Sequence, residues 1–220
     1  MSTTITLTAA DGHELQAAQA VPKSSTKGSV IVLQEIFGVN SYIRSVCERL
    51  AKAGYAATAP ALFDRLERGY ESGYSPDEVA HSRGFLPRFD FSQAMLDVSA
   101  TVAVQPKGIP IYVLGFCLGG SLAFRAAQTL PELAAAVCYY GGRIPEWADQ
   151  VPQCRTLLHF GETDQSIPLA SVQPLQGRWP EVSVYCYPAG HGFDCDQRAS
   201  YHANSAQLAW QRTLDFLATS

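Results

Sequence analysis

Charged residues are scarce in this sequence, and basic residues are not in excess. Charged side chains make up 16% of the 220 residues, and the formal net charge is -4. Nucleic-acid-binding domains usually cluster lysine and arginine on one face, and no such run occurs here. We therefore expect no nucleic-acid partner.

Long apolar runs are also missing. A membrane-spanning helix needs about 20 consecutive apolar residues, and no window of this sequence comes near that length. The stretch MSTTITLTAADGHELQ has neither the basic nor the apolar region of a secretory signal peptide. We expect no membrane association and a cytoplasmic location, with the 47% of hydrophobic residues filling a core.

The 6 cysteines include no CxxC pair. Several stand in apolar runs, such as AAAVCYY and VSVYCYP. Their even number permits disulfides, but scaffolds that depend on disulfides are small, dense in cysteine and poor in apolar core. We expect reduced thiols, buried for the most part as small hydrophobic side chains.

Short β-branched runs alternate along the chain with segments of helical periodicity. The run SVIVLQE at residues 29–35 is typical of a strand buried on both faces of a parallel sheet. The next segment places apolar residues at helical spacing, between a capping Asn40 or Ser41 and a terminating Gly54. This alternation predicts an α/β fold, with a mostly parallel central sheet and helices on both of its faces.

Two regions depart from the alternation. Near the start, the extended segments TTITLT and ELQAAQAV flank the turn signal AADGH, which predicts an antiparallel hairpin. Residues 60–90 mix glycine, proline, tyrosine and arginine irregularly, although SPDEVAHSR within them is compatible with a helix start. Because no linker or repeat occurs, we expect one domain over residues 1–220, with the irregular segment near its active site.

A cysteine stands at a strand-to-helix transition in IYVLGFCLGG. Cys117 lies between Gly115 and Gly119, the spacing of a nucleophile elbow, in which a strained turn raises the nucleophile above the sheet. The glycines let strand and helix approach closely, and the N-terminus of the following helix favours a thiolate. The alternative is a structural cysteine buried in a tight turn.

Two further reactive residues follow later strands. Asp164 comes after TLLHFGET, and His191 comes after VSVYCYPAG. The order nucleophile, acid, histidine is that of the α/β hydrolases, and functional groups of such sheets collect outside the carboxyl ends of the strands. Glu162 competes with Asp164 for the acid position, and a loop aspartate can instead cap the next segment.

Five motifs, in order along the chain, carry a family resemblance. They are QEIFGVN at 34–40, GFCLGG at 115–120, YYGG at 139–142, GETDQSIP at 161–168 and AGHGF at 189–193. With them, nearly the whole chain resembles the dienelactone hydrolase family of α/β hydrolases. The resemblance implies an α/β-hydrolase fold, a small ester or lactone as substrate, and no cofactor or metal. Nothing in the sequence demands more than a monomer.

The resemblance also implies roles for individual residues. Cys117 is expected to be the nucleophile, His191 the general base and acid, and Asp164 the group that fixes the tautomer of His191. Glu35, at the end of the run SVIVLQE, matches a buried family glutamate that holds the resting thiol and helps to deprotonate it when substrate arrives. The alternative for Glu35 is a solvated carboxylate at the end of a strand.

The backbone N–H groups of Leu118 and Ile36 match the family's oxyanion hole, which holds the tetrahedral oxyanion before a thioester forms. A thiolate leaves such an intermediate readily, so the substrate needs a good leaving group of its own, such as an enolate. We therefore expect activated esters or lactones. Tyr139 either lines the substrate pocket or belongs to the core.

Dienelactones of the family carry a carboxylate, which makes arginines candidates for substrate binding. Arg83 lies close to the family's position across a one-residue gap, and Arg88 and Arg65 are alternatives. Cys195 stands where the family has a second arginine, four residues after the histidine, and Arg198 is a candidate replacement. This departure bears on the identity of the lactone more than on the chemistry.

Two other functions compete with hydrolysis. A thiol-redox or peroxide-sensing protein centred on Cys117 needs a resolving cysteine, for which Cys195 and Cys138 are candidates. A non-catalytic binding protein on the same fold normally lacks one triad member, and all three are present here.

Overall fold

The computed structural model describes residues 3–219, which contain eight strands. They form two compact units, which divide between Ile111 and Tyr112. Both units contain strands and helices, and the buried aliphatic residues lie along the strand centres and the inner helix faces.

The first unit is built on four strands. Strand β3 (Ser29–Leu33) is buried at every position and pairs in parallel with β4 (Ala56–Pro60). Strand β4 also pairs antiparallel with β2 (Glu14–Ala20), which in turn pairs antiparallel with β1 (Thr3–Thr8). The hairpin predicted from TTITLT and ELQAAQAV is confirmed.

The two ends of helix α1 (Ser41–Ala53) are set by its capping residues. The side-chain oxygen of Asn40 accepts a hydrogen bond from the N–H of Ile43 at 3.3 Å. At the other end, Gly54 takes a left-handed φ of 98°, which a side chain would disfavour. Both ends of this helix are therefore where the sequence predicts them.

The segment predicted to be irregular contains short helices. Ser75 caps one of them, because its hydroxyl accepts the N–H of Glu78 at 3.4 Å while its own N–H donates to the Glu78 carboxylate at 2.9 Å. This reciprocal capping box stabilises a helix within SPDEVAHSR. The remaining helical elements of the unit are a 3-10 helix at Leu62–Arg65, helix α2 at Pro76–Arg83, a 3-10 helix at Leu86–Arg88 and helix α3 at Phe91–Ala103.

A buried ion pair links α3 to the 3-10 helix at Leu62–Arg65. The guanidinium of Arg65 donates to both carboxylate oxygens of Asp97 at 2.8 Å, and to Asp11 at 2.7 and 3.1 Å. Burial raises the pKa of Asp97, and the charge of Arg65 opposes that rise. The guanidinium of Arg65 is therefore occupied by ion pairs within the fold, and Arg65 is no longer a candidate for substrate binding.

The second unit is built on four further strands. Their spatial order is that of the chain: β5 (Ile111–Phe116), β6 (Leu133–Tyr139), β7 (Arg155–Gly161) and β8 (Val182–Tyr187). Strands β6, β7 and β8 pair in parallel. Their carboxyl ends consequently lie side by side, and the loops that follow them start from one edge of the sheet.

One helical segment of the second unit is shorter than the sequence predicts. The run LASVQPLQGRW at residues 169–179 predicts a roughly helical segment, but the α-helix ends after four residues in a 3-10 turn at Gln173–Leu175. Pro174 lacks an N–H donor, and Gly177 takes a left-handed φ of 68°, so the helix does not continue. Among residues 3–219, no helix combines the length and apolarity needed to cross a membrane. The helices of this unit are α4 at Leu118–Thr129, α5 at Leu169–Val172 and α6 at Ala203–Ala218.

We expect Arg65→Met to lower the free energy of unfolding by roughly 3–5 kcal/mol, because it leaves the buried carboxylate of Asp97 without its cation. Arg44→Met is the matched control, since its partner Glu71 is exposed and such a pair contributes at most about 1 kcal/mol. Urea denaturation followed by circular dichroism measures both variants. Equal losses would contradict the buried ion pair as a main support of this unit.

Candidate active site

Cys117 occupies a strained turn between β5 and α4. Its backbone angles are φ 54° and ψ -112°, a region that residues with side chains seldom adopt. The turn is held from β6, because the Cys117 N–H donates to the carbonyl of Tyr139 at 3.0 Å. Cys117 is partly exposed, whereas its chain neighbours Phe116 and Leu118 are buried.

Glycines make this turn sterically accessible. A Cβ at Gly115 would lie 1.9 Å from the carbonyl oxygen of Gly119, and a Cβ at Gly120 would lie 2.3 Å from that of Tyr139. Neither position tolerates a side chain, because both obstacles are backbone atoms. The GFCLGG pattern is therefore a steric requirement of the strand–turn–helix geometry.

His191 lies between Cys117 and Asp164. Its Nε2 is 3.1 Å from the Cys117 sulfur, and its Nδ1 is 2.7 Å from an oxygen of Asp164. The other Asp164 oxygen accepts the N–H groups of Ser166 at 2.8 Å and Ile167 at 3.1 Å. Asp164 thus caps the following turn and also orients the imidazole, so the capping role and the role as the acid do not exclude each other.

The competing carboxylate is placed differently. Glu162 is exposed, whereas Asp164 is buried beside the histidine. Only a carboxylate on the Nδ1 side fixes the imidazole with Nε2 facing the thiol. The structure therefore brings Cys117, His191 and Asp164 together and leaves Glu162 outside the group.

Two opposing effects act on the pKa of His191. Burial lowers it, whereas the charge of Cys117 and the contacts with Asp164 raise it, and the net result is a rise from 6.5 to about 10. The imidazole consequently keeps its proton whenever the neighbouring thiol is ionised. A cation held between a sulfur and a carboxylate can activate a nucleophile and later release a proton.

Tyr140 is a site residue that the sequence did not single out. Its ring lies 5.0 Å from the His191 ring and 5.4 Å from that of Phe193, and it covers the imidazole from one side. It adopts a positive φ of 39°, and its N–H donates to the carbonyl of His159 at 2.7 Å. The motif YYGG is the signal that could have marked it.

Three further predicted site residues are Leu118 in the second unit, and Glu35 and Ile36 in the first. Leu118 is the first residue of α4, where backbone N–H groups have no acceptor inside the helix. Within the first unit, Glu35 follows β3 and is only 1% exposed, and Ile36 is buried beside it. The carboxylate of Glu35 is thus a buried group, which excludes the solvated strand-end alternative.

The candidates on the substrate side are spread over the chain. Arg83 ends α2 and is exposed, and Arg88 is exposed with its guanidinium 5.2 Å from the ring centroid of Phe85. In the second unit, the guanidinium of Arg198 lies against Gly192, since a Cβ there would approach its Nη1 to 2.4 Å. Arg198 is therefore the candidate that touches the loop carrying the histidine.

Tyr139 lies in the core of the second unit. It is fully buried, and its hydroxyl is 2.7 Å from Thr213 Oγ1 in α6. This placement favours the core alternative over a place in the pocket wall. All six cysteines are free thiols, and both Cys138 and Cys195 are completely buried.

Comparison with known proteins gives a consistent result. The model of the dienelactone hydrolase family matches residues 15–220. A carboxymethylenebutenolidase from Pseudomonas putida is 33% identical over 227 residues, which covers 97% of this chain and 95% of that one. A candidate carboxymethylenebutenolidase from Synechocystis is 38% identical over 213 residues, with 86% and 85% of the two chains covered.

Solved structures agree in fold. A crystal structure of a candidate dienelactone hydrolase from Klebsiella pneumoniae is 30% identical, with a TM-score of 0.82 over 99% of this chain and all of that one. An esterase from Pyrococcus furiosus, at 18% identity, reaches a TM-score of 0.72 over 100% of this chain and 92% of its own. The predicted α/β-hydrolase fold is thereby confirmed. By sequence and by fold, the chain is a member of the dienelactone hydrolase family and a carboxylic ester hydrolase of that type.

Proposed function

We propose that this enzyme hydrolyses small activated esters or lactones by a Cys117–His191–Asp164 triad, through a thioester. The observation that carries the proposal is the position of His191, 3.1 Å from the thiol sulfur and 2.7 Å from the carboxylate. The relatives named as carboxymethylenebutenolidases support a substrate of the dienelactone type.

The first chemical step is attack of the Cys117 sulfur on the substrate carbonyl, with the thiol proton passed to His191. A carbon–sulfur bond forms, and the carbonyl electrons move to oxygen. The N–H of Leu118 at the start of α4, and that of Ile36 implied by the family, stabilise this oxyanion; each such donor is typically worth roughly 3–4 kcal/mol. The carbon–oxygen bond then breaks, and His191 gives its proton to the leaving oxygen.

The second half of the reaction returns the enzyme to its starting state. His191, now neutral, takes a proton from water as the water oxygen attacks the thioester carbonyl. The carbon–sulfur bond then breaks with its electron pair going to sulfur, the acid product leaves, and Cys117 and the protonated His191 are restored. Asp164 holds one tautomer throughout and stabilises the imidazolium, as in other triads.

Glu35 supplies a proposed control on the resting thiol. A permanently charged thiolate is open to oxidation, whereas a thiol kept neutral until substrate arrives is protected. A buried carboxylate can exchange that proton, because burial disfavours the charged form of a carboxyl group and so brings its pKa closer to that of a thiol. The burial of Glu35 supports this role.

The redox alternative finds less support. A resolving cysteine must reach the oxidised sulfur of Cys117, and the two candidates, Cys138 and Cys195, are fully buried. Burial also raises the pKa of Cys138 well above its ordinary value, which disfavours the reactive thiolate. The monomeric state and the cytoplasmic location remain predictions from the sequence.

We expect Cys117→Ala and His191→Ala each to lower kcat for p-nitrophenyl acetate and for a dienelactone by at least roughly 1,000-fold, because triad members act as a unit. Stopped-flow spectroscopy of wild-type enzyme should show a burst of p-nitrophenol if the thioester accumulates. Cys186→Ala is the matched control, since that thiol is also partly exposed and lies outside the triad.

Full esterase activity in Cys117→Ala would exclude the thioester mechanism. Equal losses in Cys117→Ala and Cys186→Ala would also count against it, because they would indicate a general sensitivity to cysteine substitution. Peroxide treatment followed by mass spectrometry tests the redox alternative, which requires a Cys117 disulfide that thiols reverse.

The pKa of His191 is a direct measure of the triad's electrostatics. Where the Cys117 thiol is ionised, proton NMR of the imidazole should give a value near 10 in the wild type. In Cys117→Ala the value should fall, because the sulfur's charge is the strongest of the effects that raise it. A wild-type pKa near 6.5 that Cys117→Ala leaves unchanged would contradict the coupling of these two groups.

A carboxylate on the substrate is expected to bind Arg198. We expect Arg198→Gln to lower kcat/KM for an acidic lactone by roughly 10-fold or more, as loss of a charge-assisted contact does, and to leave its methyl ester nearly unaffected. Arg83→Gln, assayed in parallel, tests the other candidate. An unchanged preference for acid over ester in both variants would exclude a carboxylate site built on either arginine.

A further inference from the structure

A chain of polar side chains lies buried in the second unit, next to the strand ends that carry the triad. At its centre, His159 of β7 is completely buried, and both of its ring nitrogens have partners. Nδ1 lies 2.8 Å from the hydroxyl of Tyr187, and Nε2 lies 3.2 Å from Thr213 Oγ1. The proposed chemistry uses none of these groups directly.

Thr213 joins this histidine to a third strand. Its hydroxyl, on α6, also lies 2.7 Å from the hydroxyl of Tyr139. The ring of Tyr139 packs against that of His159 with 4.4 Å between centroids. The network, made of Tyr139, His159, Tyr187 and Thr213, therefore links β6, β7, β8 and α6 through three hydrogen bonds.

His159 is the neutral group at the centre of the network. Burial lowers the pKa of His159 to about 3, and the charge of Arg212 adds to this, so the ring is neutral. A neutral imidazole donates from one nitrogen and accepts at the other. One of its two hydroxyl partners, Tyr187 or Thr213, therefore donates to the ring, and the other accepts from it.

The backbone of Tyr139 supports the nucleophile. Tyr139 is the last residue of β6, and its carbonyl accepts the N–H of Cys117 at 3.0 Å. The same carbonyl is the atom that Gly120 approaches closely. A displacement of the Tyr139 backbone would therefore move the turn that presents the thiol.

The backbone of Tyr187 supports the segments that lead to the acid and the base. Tyr187 is the last residue of β8, and its carbonyl accepts the N–H of Glu162 at 2.8 Å, at the start of the Asp164 loop. It also accepts the N–H of Ala189 at 2.7 Å, on the way to His191. Each strand end that leads to a triad member is thus held at, or close to, a network residue.

We propose that His159 is a positioning residue, which through Thr213, Tyr139 and Tyr187 holds three strand ends so that Cys117, Asp164 and His191 meet. The inference rests on the proposed function for its catalytic meaning, but its structural part stands on the network alone. Displacements of about 1 Å at a reacting group can lower rates by roughly 100-fold, so a network of this kind matters to activity.

The matched variants are Thr213→Val and Thr213→Ser. Valine keeps the shape of threonine but removes the hydroxyl that joins His159 to Tyr139, whereas serine keeps the hydroxyl. We expect Thr213→Val to lower kcat for p-nitrophenyl acetate by roughly 10-fold, with KM nearly unchanged, because triad geometry is lost and binding is not. Thr213→Ser should restore most of the rate.

A control separates this effect from general loss of a buried hydroxyl. Thr156 lies on the same strand as His159, is fully buried, and donates its hydroxyl to the carbonyl of Cys154 at 3.0 Å. We expect Thr156→Val to keep the wild-type kcat. If Thr156→Val and Thr213→Val lower kcat equally, or if Thr213→Ser fails as Thr213→Val does, the positioning role is overturned.

NMR of His191 provides a readout that does not depend on esterase activity. Thr213→Val should move the pKa of His191 from about 10 towards 6.5, because the contacts with Cys117 and Asp164 loosen. An unchanged pKa in the folded variant overturns the proposal. If Thr213→Val does not fold, Tyr187→Phe removes one network hydroxyl while keeping its ring, and the same two outcomes apply to it.

The two proposals fail in distinguishable ways. Activity that survives Cys117→Ala, together with a lowered His191 pKa in Thr213→Val, removes the thioester mechanism and keeps the positioning network. Inactive Cys117→Ala, together with wild-type kcat and pKa in Thr213→Val, keeps the mechanism and removes the network's role.

Discussion

The backbone conformation of Cys117 is the constraint on which the site depends. A residue with a side chain at φ 54° and ψ -112° is strained, at a cost of roughly 1–3 kcal/mol, and persists only where the surrounding structure fixes it. Here the carbonyl of Tyr139 holds the Cys117 N–H. Backbone atoms leave no room for a Cβ at Gly115 or Gly120, so both positions require glycine. The thiol's place is thereby set by backbone atoms, and its partners are arranged around it.

The partners then decide the charge of the site. Burial alone would lower the pKa of the His191 imidazole, since a charged group loses solvation in an apolar setting. The charge of Cys117 and the contact with Asp164 reverse this, and the Asp164 carboxylate also accepts the N–H groups of Ser166 and Ile167. Because those donors belong to the backbone after β7, the acid cannot relax away from the histidine without breaking the turn. The same carboxylate of Asp164 therefore stabilises the charged imidazole and holds the loop in its conformation.

Local signals predicted the elements that local forces control. Asn40 and Gly54 bound α1 as their capping chemistry requires, and the glycines around Cys117 mark a turn that only glycine allows. The order of Cys117, Asp164 and His191 indicated one site, because parallel strands bring their carboxyl ends to one edge.

Interactions between distant segments were not predictable in this way. The bond between His159 and Thr213 joins residues 54 positions apart, and no pattern in either segment signals it. The commitment of Arg65 to Asp97 joins residues 32 positions apart, so Arg65 still counted as a substrate-binding candidate from sequence. Tyr140 is a related case, since its importance lies in ring contacts with His191 and Phe193 and in a positive φ. Each of these features depends on contacts between segments that are distant in sequence, and the periodicity of the sequence does not reveal such contacts.

Two histidines in the same unit show how opposite environments give one residue type two roles. His191 faces a carboxylate and a thiol, so its pKa rises to about 10 and its charge changes with that of its partners. His159 is fully buried, lies near the charge of Arg212 and is hydrogen-bonded to hydroxyl groups, so its pKa falls to about 3 and it stays neutral over the range in which an enzyme works. A hydrogen-bond network that supports a titrating site must not itself change protonation as that site reacts. Neutral imidazole meets this need because it donates from one nitrogen and accepts at the other, which links two partners without adding a charge that the triad would feel.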